Sequence, residues 1–404
     1  MESKHIIIIG GGASGFFAAI NCAIHHPQAV ITILEKTNKI LSKVRVSGGG
    51  RCNVTHHCFE NNVLIKNYPR GEKELQQVFA QFNVTDTIEW FKLRGVKLKV
   101  EADGRMFPES NSSETIINCF LQEAQKFNIT IKLSEEVVDI ENKNSTQLIV
   151  KTNKHNYVAG AVICAIGGHH QLKNYSCLQQ SKHRIDELIP SLFTLNLPQS
   201  NINELMGLSV KNATVKVNGT KFQFTGPLLI THWGLSGPAI LKLSAYAAEY
   251  FYKNNYHVGI SVNWSGSLNE AELKSLIEFN LTSKALIANS TLFEIPKRLW
   301  EFLLQRAEIP LSKPWIELGK KQLQKLVQVL TNDAYTMQGK TTFKEEFVTA
   351  GGINLKEITF KTMESKLVPH LFFCGEVLNI DGITGGFNFQ NAWSTAWIAS
   401  KLGE

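Results

Sequence analysis

The apolar positions of this chain come first as runs and then as stripes. Ile6-Ile7-Ile8-Ile9 is an unbroken β-branched run, the pattern of a strand buried on both faces, and it feeds directly into Gly10-Gly11-Gly12-Ala13-Ser14-Gly15. Phe16, Phe17, Ala19 and Ile20 follow at helical spacing, and Val30–Leu34 is a second β run that ends on the acid Glu35. Beyond it the pattern predicts helices over 72–82, 85–93 and 111–127. Strands are predicted over 96–100, 129–133, 147–151 and 158–165, the last finishing in Gly167-Gly168. Strand and helix thus alternate to about residue 190, the pattern of an α/β fold with a parallel sheet.

After 190 the period changes to two. Val210, Thr214 and Lys216 alternate with Ala213, Val215 and Val217, and Asn218-Gly219 is a hairpin signal. Residues 191–265 therefore read as antiparallel β, interrupted by a helix over 238–251. Segments 268–280, 296–306 and 320–330 read as helices, and 268–340 is taken as helical throughout. The β pattern returns at Leu371-Phe372-Phe373-Cys374, and a last helix is predicted over 389–401. The expected organisation is one nucleotide domain made of 1–190 and 345–404. Between its halves lie a β insert over 191–267 and a small helical subdomain over 268–344.

The first turn carries the strongest chemical signal. Gly10 permits a tight turn, Gly12 lets a pyrophosphate reach the backbone, and Gly15 lets helix and strand pack closely. The helix start at Ala13 and Ser14 offers free N–H groups and the positive end of its dipole. Glu35, about 20 residues past the last glycine, stands where an acid accepts hydrogen bonds from ribose hydroxyls. Together these make a Rossmann-type dinucleotide site. The C-terminus narrows the choice of dinucleotide. A strand runs into Gly375-Glu376, then come Gly385-Gly386-Phe387-Asn388-Phe389 and a helix. Glycines that bring backbone against a ring, and a helix N-terminus aimed at its N1/C2=O edge, serve a flavin. FAD is therefore expected as the tightly held cofactor ahead of NAD.

Composition adds limits. At 404 residues with 43% hydrophobic and 19% charged positions the chain is long enough for two or three domains of an ordinary globular protein. No run reaches the ~18 apolar residues of a membrane span, and no signal peptide is expected before the first strand. Seven cysteines without a C-x-x-C pair suit a reducing compartment, so the cytoplasm is the expected location. The net charge of +7 suits a polyanionic partner and equally an ordinary surface. His56-His57-Cys58 looks metal-like, but adjacent histidines rarely face one ion, and no metal site is expected. The tryptophans are scattered and read as core.

Four longer segments carry a resemblance. Ser47-Gly48-Gly49-Gly50-Arg51-Cys52-Asn53-Val54-Thr55, Gly104-Arg105-Met106-Phe107-Pro108, Thr231-His232-Trp233-Gly234-Leu235-Ser236-Gly237-Pro238-Ala239 and Gly382 to Gln390 are similar to the motifs of BaiN/RdsA-type NAD(P)/FAD-dependent oxidoreductases. The resemblance spans the chain in the family's order. It implies a glutathione-reductase-like FAD domain with an inserted β-barrel and a helical subdomain. It also implies that Glu35 and Lys36 hold the adenosine ribose end, and that Val138 lies beside the adenine. Ser47, Gly48, Gly49, Arg51 and Asn53 would line the flavin and pyrophosphate, and Gly167 ends the strand nearby. Gly375, Glu376 and Gly385–Phe389 would surround the flavin. Three departures stand out: Gly168 to Tyr175 is shortened, and Asn379 and Asn391 replace an Asp and a Trp of the family pattern.

The resemblance implies reduction of a C=C bond conjugated to a carbonyl, such as a steroid-type enone or a uridine of ribosomal RNA. Such a reaction needs a donor on the carbonyl and an acid at the α carbon. Arg51, Cys52 and Arg105 are the candidate catalytic residues. Arg51 reads equally as carbonyl clamp and as phosphate partner of FAD. Arg105 reads as substrate contact or solvated loop charge, and Cys52 as proton donor or, by preference, buried structural thiol. Glu376 reads as a structural acid and His232 as a core hydrogen-bonding group. No second G-x-G-x-x-G unit is present, so NAD(P)H would visit the flavin face transiently as reductant. Ribosomal RNA is the preferred substrate partner, a small-molecule enone the runner-up. A non-catalytic flavoprotein with a partner-binding insert, or a folate-linked RNA-modifying enzyme, would be the alternatives from other classes.

Overall fold

Four consecutive isoleucines form the centre of a sheet. In the computed structural model, which describes residues 4–179, 181–290, 292–342 and 348–404, His5–Ile9 pairs in parallel with Val30–Leu34 on one side and Ala161–Cys164 on the other. Thr130–Lys132 and Leu371–Phe373 extend the parallel sheet, and Glu364–Ser365 and Ile358–Thr359 finish one edge antiparallel. Ile6 to Ile9 are buried because both faces are covered, which is why the strand reads as a run and not as an alternation. The first helix, Ala13–His25, packs on the C-terminal helix, Phe387–Ala399. Phe17 joins them, 4.4 Å from Trp90 and 5.3 Å from Trp393 between ring centroids.

The chain divides into two compact units, Met1–Pro190 with Lys344–Glu404 and Ser191–Phe343. The boundary read at 344/345 lies outside the described residues. Within the first unit, the apolar segment 158–165 is two strands and not one. Asn156–Ala159 completes an antiparallel sheet with Val137–Asn144 and Gln147–Thr152, and Ala161–Cys164 enters the parallel sheet. Only Gly160 separates them, so the hydrophobic pattern runs on unbroken.

The second unit holds seven strands in the order Asp333–Gln338, His257–Asn263, Ser209–Val217, Gln223–Ile230, Gly234–Ser236, Thr194–Asn196 and Lys340–Thr341. The last follows the first directly in sequence, across Gly339, so the sheet curls back on itself as a barrel. The helices Glu270–Glu278, Lys297–Arg306 and Lys320–Thr331 share its core: Val215, Ile260 and Trp264 cluster with Leu273, Trp300 and Leu326. The helix predicted over 238–251 is two, Pro238–Tyr246 and Ala248–Lys253.

Among the strands that escape the sequence pattern, two have a visible reason. Asp333–Gln338 was expected to be helical, and an acid at an inward position hides its alternation. Asp333 is buried, and it accepts from Trp264 Nε1 at 3.0 Å, Arg306 Nε at 2.8 Å and the Tyr335 hydroxyl. Val348–Ile353 is masked by Gly351 and Gly352, whose φ values of +113° and +127° suit only glycine. No helix among the described residues is long and apolar enough to cross a membrane.

Candidate functional site

The three glycines of the first turn have separable roles. A Cβ on Gly10, at φ +110°, would fall 2.4 Å from the Ala165 carbonyl oxygen, and one on Gly15 would fall 1.9 Å from that of Gly10. A Cβ on Gly12 would meet nothing within 4 Å. Two glycines are thus required by the protein's own packing, and the third borders open space. Gly12 precedes the first helix and no side chain caps it, so the amides of Ala13, Ser14 and Gly15 remain available to an anion.

Glu35 sits at the end of the second strand, with Oε2 accepting from the Gly11 N–H and Oε1 from the Thr37 N–H, both at 2.8 Å. Beside it is a narrow cavity of about 50 Å³ whose walls include Gly10, Glu35, Lys36, Glu135, Val137 and Asn174. Lys36 Nζ reaches Asn174 Oδ1 at 3.3 Å. Val137, not Val138, turns its side chain to this cavity. Successive residues of a strand face opposite ways, and the Val138 side chain is exposed to solvent. Glu135 is a wall residue that the motifs did not reveal. Burial pushes its carboxyl up, but hydrogen bonds from Tyr157, His155 and Thr152 outweigh this and hold it below the ordinary value.

The Ser47–Asn53 segment breaks the helix Ser42–Gly50: Ser47 has ψ 145°, and Gly48 and Gly49 have φ +58° and +70°. Nothing lies within 4 Å of a Cβ on Gly49, Gly50 or Gly167. Arg51 lies over the Phe107 ring with Cζ 4.0 Å from the centroid, and its Nη1 donates to Glu101 Oε1 at 2.5 Å. Arg105 donates to the other oxygen of Glu101 at 3.2 Å and to Asp103 Oδ2 at 2.7 Å. The two candidate arginines therefore share one carboxylate, which holds both guanidinium groups while leaving some of their five donors each unused. Cys52 is fully buried at φ +59°, and burial pushes its thiol up to about 12. Asn53 is buried beside it.

The C-terminal segment supplies the remaining wall. Gly375 backs onto the first helix, where a Cβ would fall 2.6 Å from Ser14 Oγ. Glu376 pairs with Lys43 Nζ at 2.7 Å and accepts from the Thr349 N–H at 3.0 Å, as a structural acid would. Gly386, at φ +94°, presses on the Thr55 carbonyl and begins the C-terminal helix, which no side chain caps. His56 Nδ1 bonds the Gly385 carbonyl at 3.0 Å and its ring stacks 4.7 Å from that of Phe387. Asn388 closes the loop by bonding both backbone groups of Gly382, at 2.8 and 2.9 Å, and Phe389 stacks on Trp393. The sequence shows His56 only within a metal-like cluster; its part in fixing this loop leaves no spacing signal.

One of the two substituted positions has a local reason. Asn379 Nδ2 donates to Asp186 at 2.8 Å, where an Asp would set two carboxylates together. Asn391 is buried, and its Oδ1 has no hydrogen-bond partner among the described residues. His232, expected in a core, is exposed and packs 4.3 Å from the exposed Trp233. Its predicted buried hydrogen bond is therefore not formed. The residues of the first unit fit a flavin dinucleotide: one uncapped helix start for the pyrophosphate and another for the ring edge, a carboxylate for ribose, a cavity at the strand ends and glycine gaps at 12, 49 and 167.

With this geometry the family can be stated. The HI0933-like protein Rossmann domain matches residues 4–402. The chain belongs to the HI0933-like family. It is 30% identical to the ribosomal RNA dihydrouridine synthase of Escherichia coli (strain K12), covering 99% of this chain and 98% of that protein. It is 26% identical to the 3-dehydro-bile acid delta(4,6)-reductase of Clostridium scindens (strain ATCC 35704 / DSM 5676 / VPI 13733 / 19), covering 98% of both. Its fold is shared with the 3-ketosteroid delta1-dehydrogenase of Sterolibacterium denitrificans, at TM-score 0.53 and 11% identity over 99% of each chain.

Proposed function

We propose that this protein is an FAD-dependent reductase that uses NAD(P)H to saturate a carbonyl-conjugated C=C bond, uridine of ribosomal RNA being its preferred substrate. The observation that carries this reading is the end-to-end likeness to two relatives whose names describe one kind of bond. Dihydrouridine arises by reduction of a C5=C6 bond conjugated to a carbonyl, and a 3-oxo-Δ4,6 bile acid presents the same conjugated unit.

FAD, when bound, supplies the hydride. The chain's own residues bind and orient. The amides at Ala13 to Gly15 and the gap at Gly12 would take the pyrophosphate, with Glu35 and Lys36 at the ribose. The Ser47–Asn53 loop, Gly375 and Gly385 to Phe389 would surround the ring, the C-terminal helix start favouring negative charge at its N1/C2=O edge. Arg51 and Arg105, both paired with Glu101, would offer a pair of fixed donors for a substrate carbonyl or a cofactor phosphate. Cys52, deep and with its proton held tightly, serves packing better than proton delivery. RNA is favoured over a small enone by the relative at 30% identity that is named for ribosomal RNA, and by the positive net charge. The bile acid relative supports the small-molecule reading.

The test is anaerobic. The yellow protein is reduced with NADPH or NADH, then mixed with ribosomal RNA or with a 3-oxo-Δ4 steroid. Return of the flavin absorbance with RNA, accompanied by dihydrouridine, is the result expected. Return with the steroid alone would make it a small-molecule reductase, and a flavin that neither nucleotide bleaches would argue against catalysis.

A further inference from the structure

The barrel of the second unit has an open seam. Thr194–Asn196 pairs with Lys340–Thr341, but the chain then turns off through Leu197-Pro198. Pro198 has no N–H with which to continue a ladder. The neighbouring strand Asp333–Gln338 is therefore hydrogen-bonded to a strand, His257–Asn263, on one side only. Along it Asp333, Tyr335 and Met337 are buried, while Ala334, Thr336 and Gln338 face outward and form the floor of a cleft. The end of the helix Lys297–Arg306 makes one wall, and Gln199 to Asn201 the other. The cleft measures about 510 Å³, within the range of small-ligand sites.

Its chemistry is particular. Arg306 contributes a guanidinium fixed by the buried Asp333, with Nε at 2.8 Å and Nη2 at 2.7 Å from Oδ1. The same group lies 5.8 Å from the Phe302 ring centroid and 5.2 Å from that of Tyr335. Asp333 offsets its charge, so the cleft is not built around a phosphate. Four amide side chains, Gln199, Asn201, Gln305 and Gln338, line it, and among the described residues none is hydrogen-bonded to another group of the protein. Amides present a donor beside an acceptor, the pattern that matches base edges. A flat guanidinium and an aromatic ring offer surfaces for an unstacked base.

We propose that this seam binds an unpaired base, with its ribose, of a structured RNA, and so serves as a docking site for the substrate. The inference rests on the RNA reading of the function. The unit's charge supports it: residues 191–343 carry fifteen Lys and Arg against ten Asp and Glu, which suits the phosphates flanking such a base. A peptide strand could also add to a free sheet edge, but that mode needs apolar pockets for alternate side chains, and this floor is Ala334, Thr336 and Gln338.

The test uses FAD-loaded full-length protein and a short fluorescein-labelled single-stranded RNA, read by anisotropy, beside the same RNA closed into a duplex. The double variant Gln305→Ala, Gln338→Ala removes two amides from exposed or half-exposed positions. Thr336→Phe fills the floor without removing one. Each is expected to weaken single-strand binding about tenfold, to leave duplex binding less affected, and to leave flavin reduction by NADPH unchanged. Unchanged single-strand binding in both variants overturns the docking site while the RNA reading stands. Failure of the unaltered protein to bind either RNA overturns both. Capture of an extended peptide at the cleft, with RNA binding intact in the variants, also overturns it.

Discussion

Substituting alanine at Gly12 and at Gly15 should separate the two reasons a glycine can be required. At Gly15 the new Cβ would stand 1.9 Å from the Gly10 oxygen, so helix and turn must part by about 1.5 Å to restore ordinary contact. Overpacking of this kind costs about 1–3 kcal/mol. For a unit of this size each kcal/mol lowers Tm by about 2–4 °C, so the cofactor-free Gly15→Ala protein should melt roughly 2–12 °C lower. At Gly12 the backbone has φ −91°, which any L-residue adopts, and a Cβ meets no atom within 4 Å. Gly12→Ala should then leave the cofactor-free Tm unchanged within about 0.5 kcal/mol. Its methyl group would instead occupy the approach of the pyrophosphate, and FAD affinity should fall at least about tenfold, or ~1.4 kcal/mol. Thermal melts of stripped protein and a flavin-fluorescence titration read the two effects separately. A Gly12→Ala protein that binds FAD normally would refute the phosphate placement, and one that melts as low as Gly15→Ala would refute the packing argument.

Other substitutions test the rest of the site. Cys52→Ser should keep turnover within the same order of magnitude, and a loss of about 10² or more would restore the thiol as an acid. Asp381, fully buried, is paired in two places with Arg70. Arg70→Ala should destabilise the protein by about 3–5 kcal/mol in a denaturant titration, because it removes the cation paired with a buried carboxylate. His183, buried between Ser181 Oγ at 2.6 Å and Ser365 Oγ at 2.7 Å, is pushed down to about 4 by burial. Because its folded value lies below its unfolded one, its stabilisation is complete above about pH 6.5. That contribution is lost as pH falls toward 4, by at most about 1.4 kcal/mol per unit. His183→Gln should flatten that part of the stability profile, and an unchanged slope would count against the assignment.

The parallel sheet was legible because its strands are buried on both faces: Ile6 to Ile9 and Ile31 to Leu34 are buried and read as runs whatever surrounds them. The dinucleotide turn was legible because each glycine stands at a spacing set by backbone geometry. What the pattern concealed was local conflict. An inward acid at Asp333 disguised a strand of the barrel, two glycines disguised Val348–Ile353, and continuous apolar character merged the strands on either side of Gly160. The bonds from Arg51 to Glu101 and from His56 to Gly385 join residues distant in the chain, and no periodicity marks such meetings. His232 looked internal because it stands among apolar neighbours, yet its tight turn places it outside with Trp233.

The central claim, reduction of a conjugated bond in ribosomal RNA, is met most directly by counting nucleosides. Ribosomal RNA from cells with and without this gene would be digested and its dihydrouridine measured by mass spectrometry, with the purified yellow protein and NAD(P)H added back to the deficient RNA. The account predicts that dihydrouridine is lost with the gene and returns with the protein. Dihydrouridine unchanged by loss of the gene, from a protein whose flavin is still bleached by NAD(P)H, would contradict it.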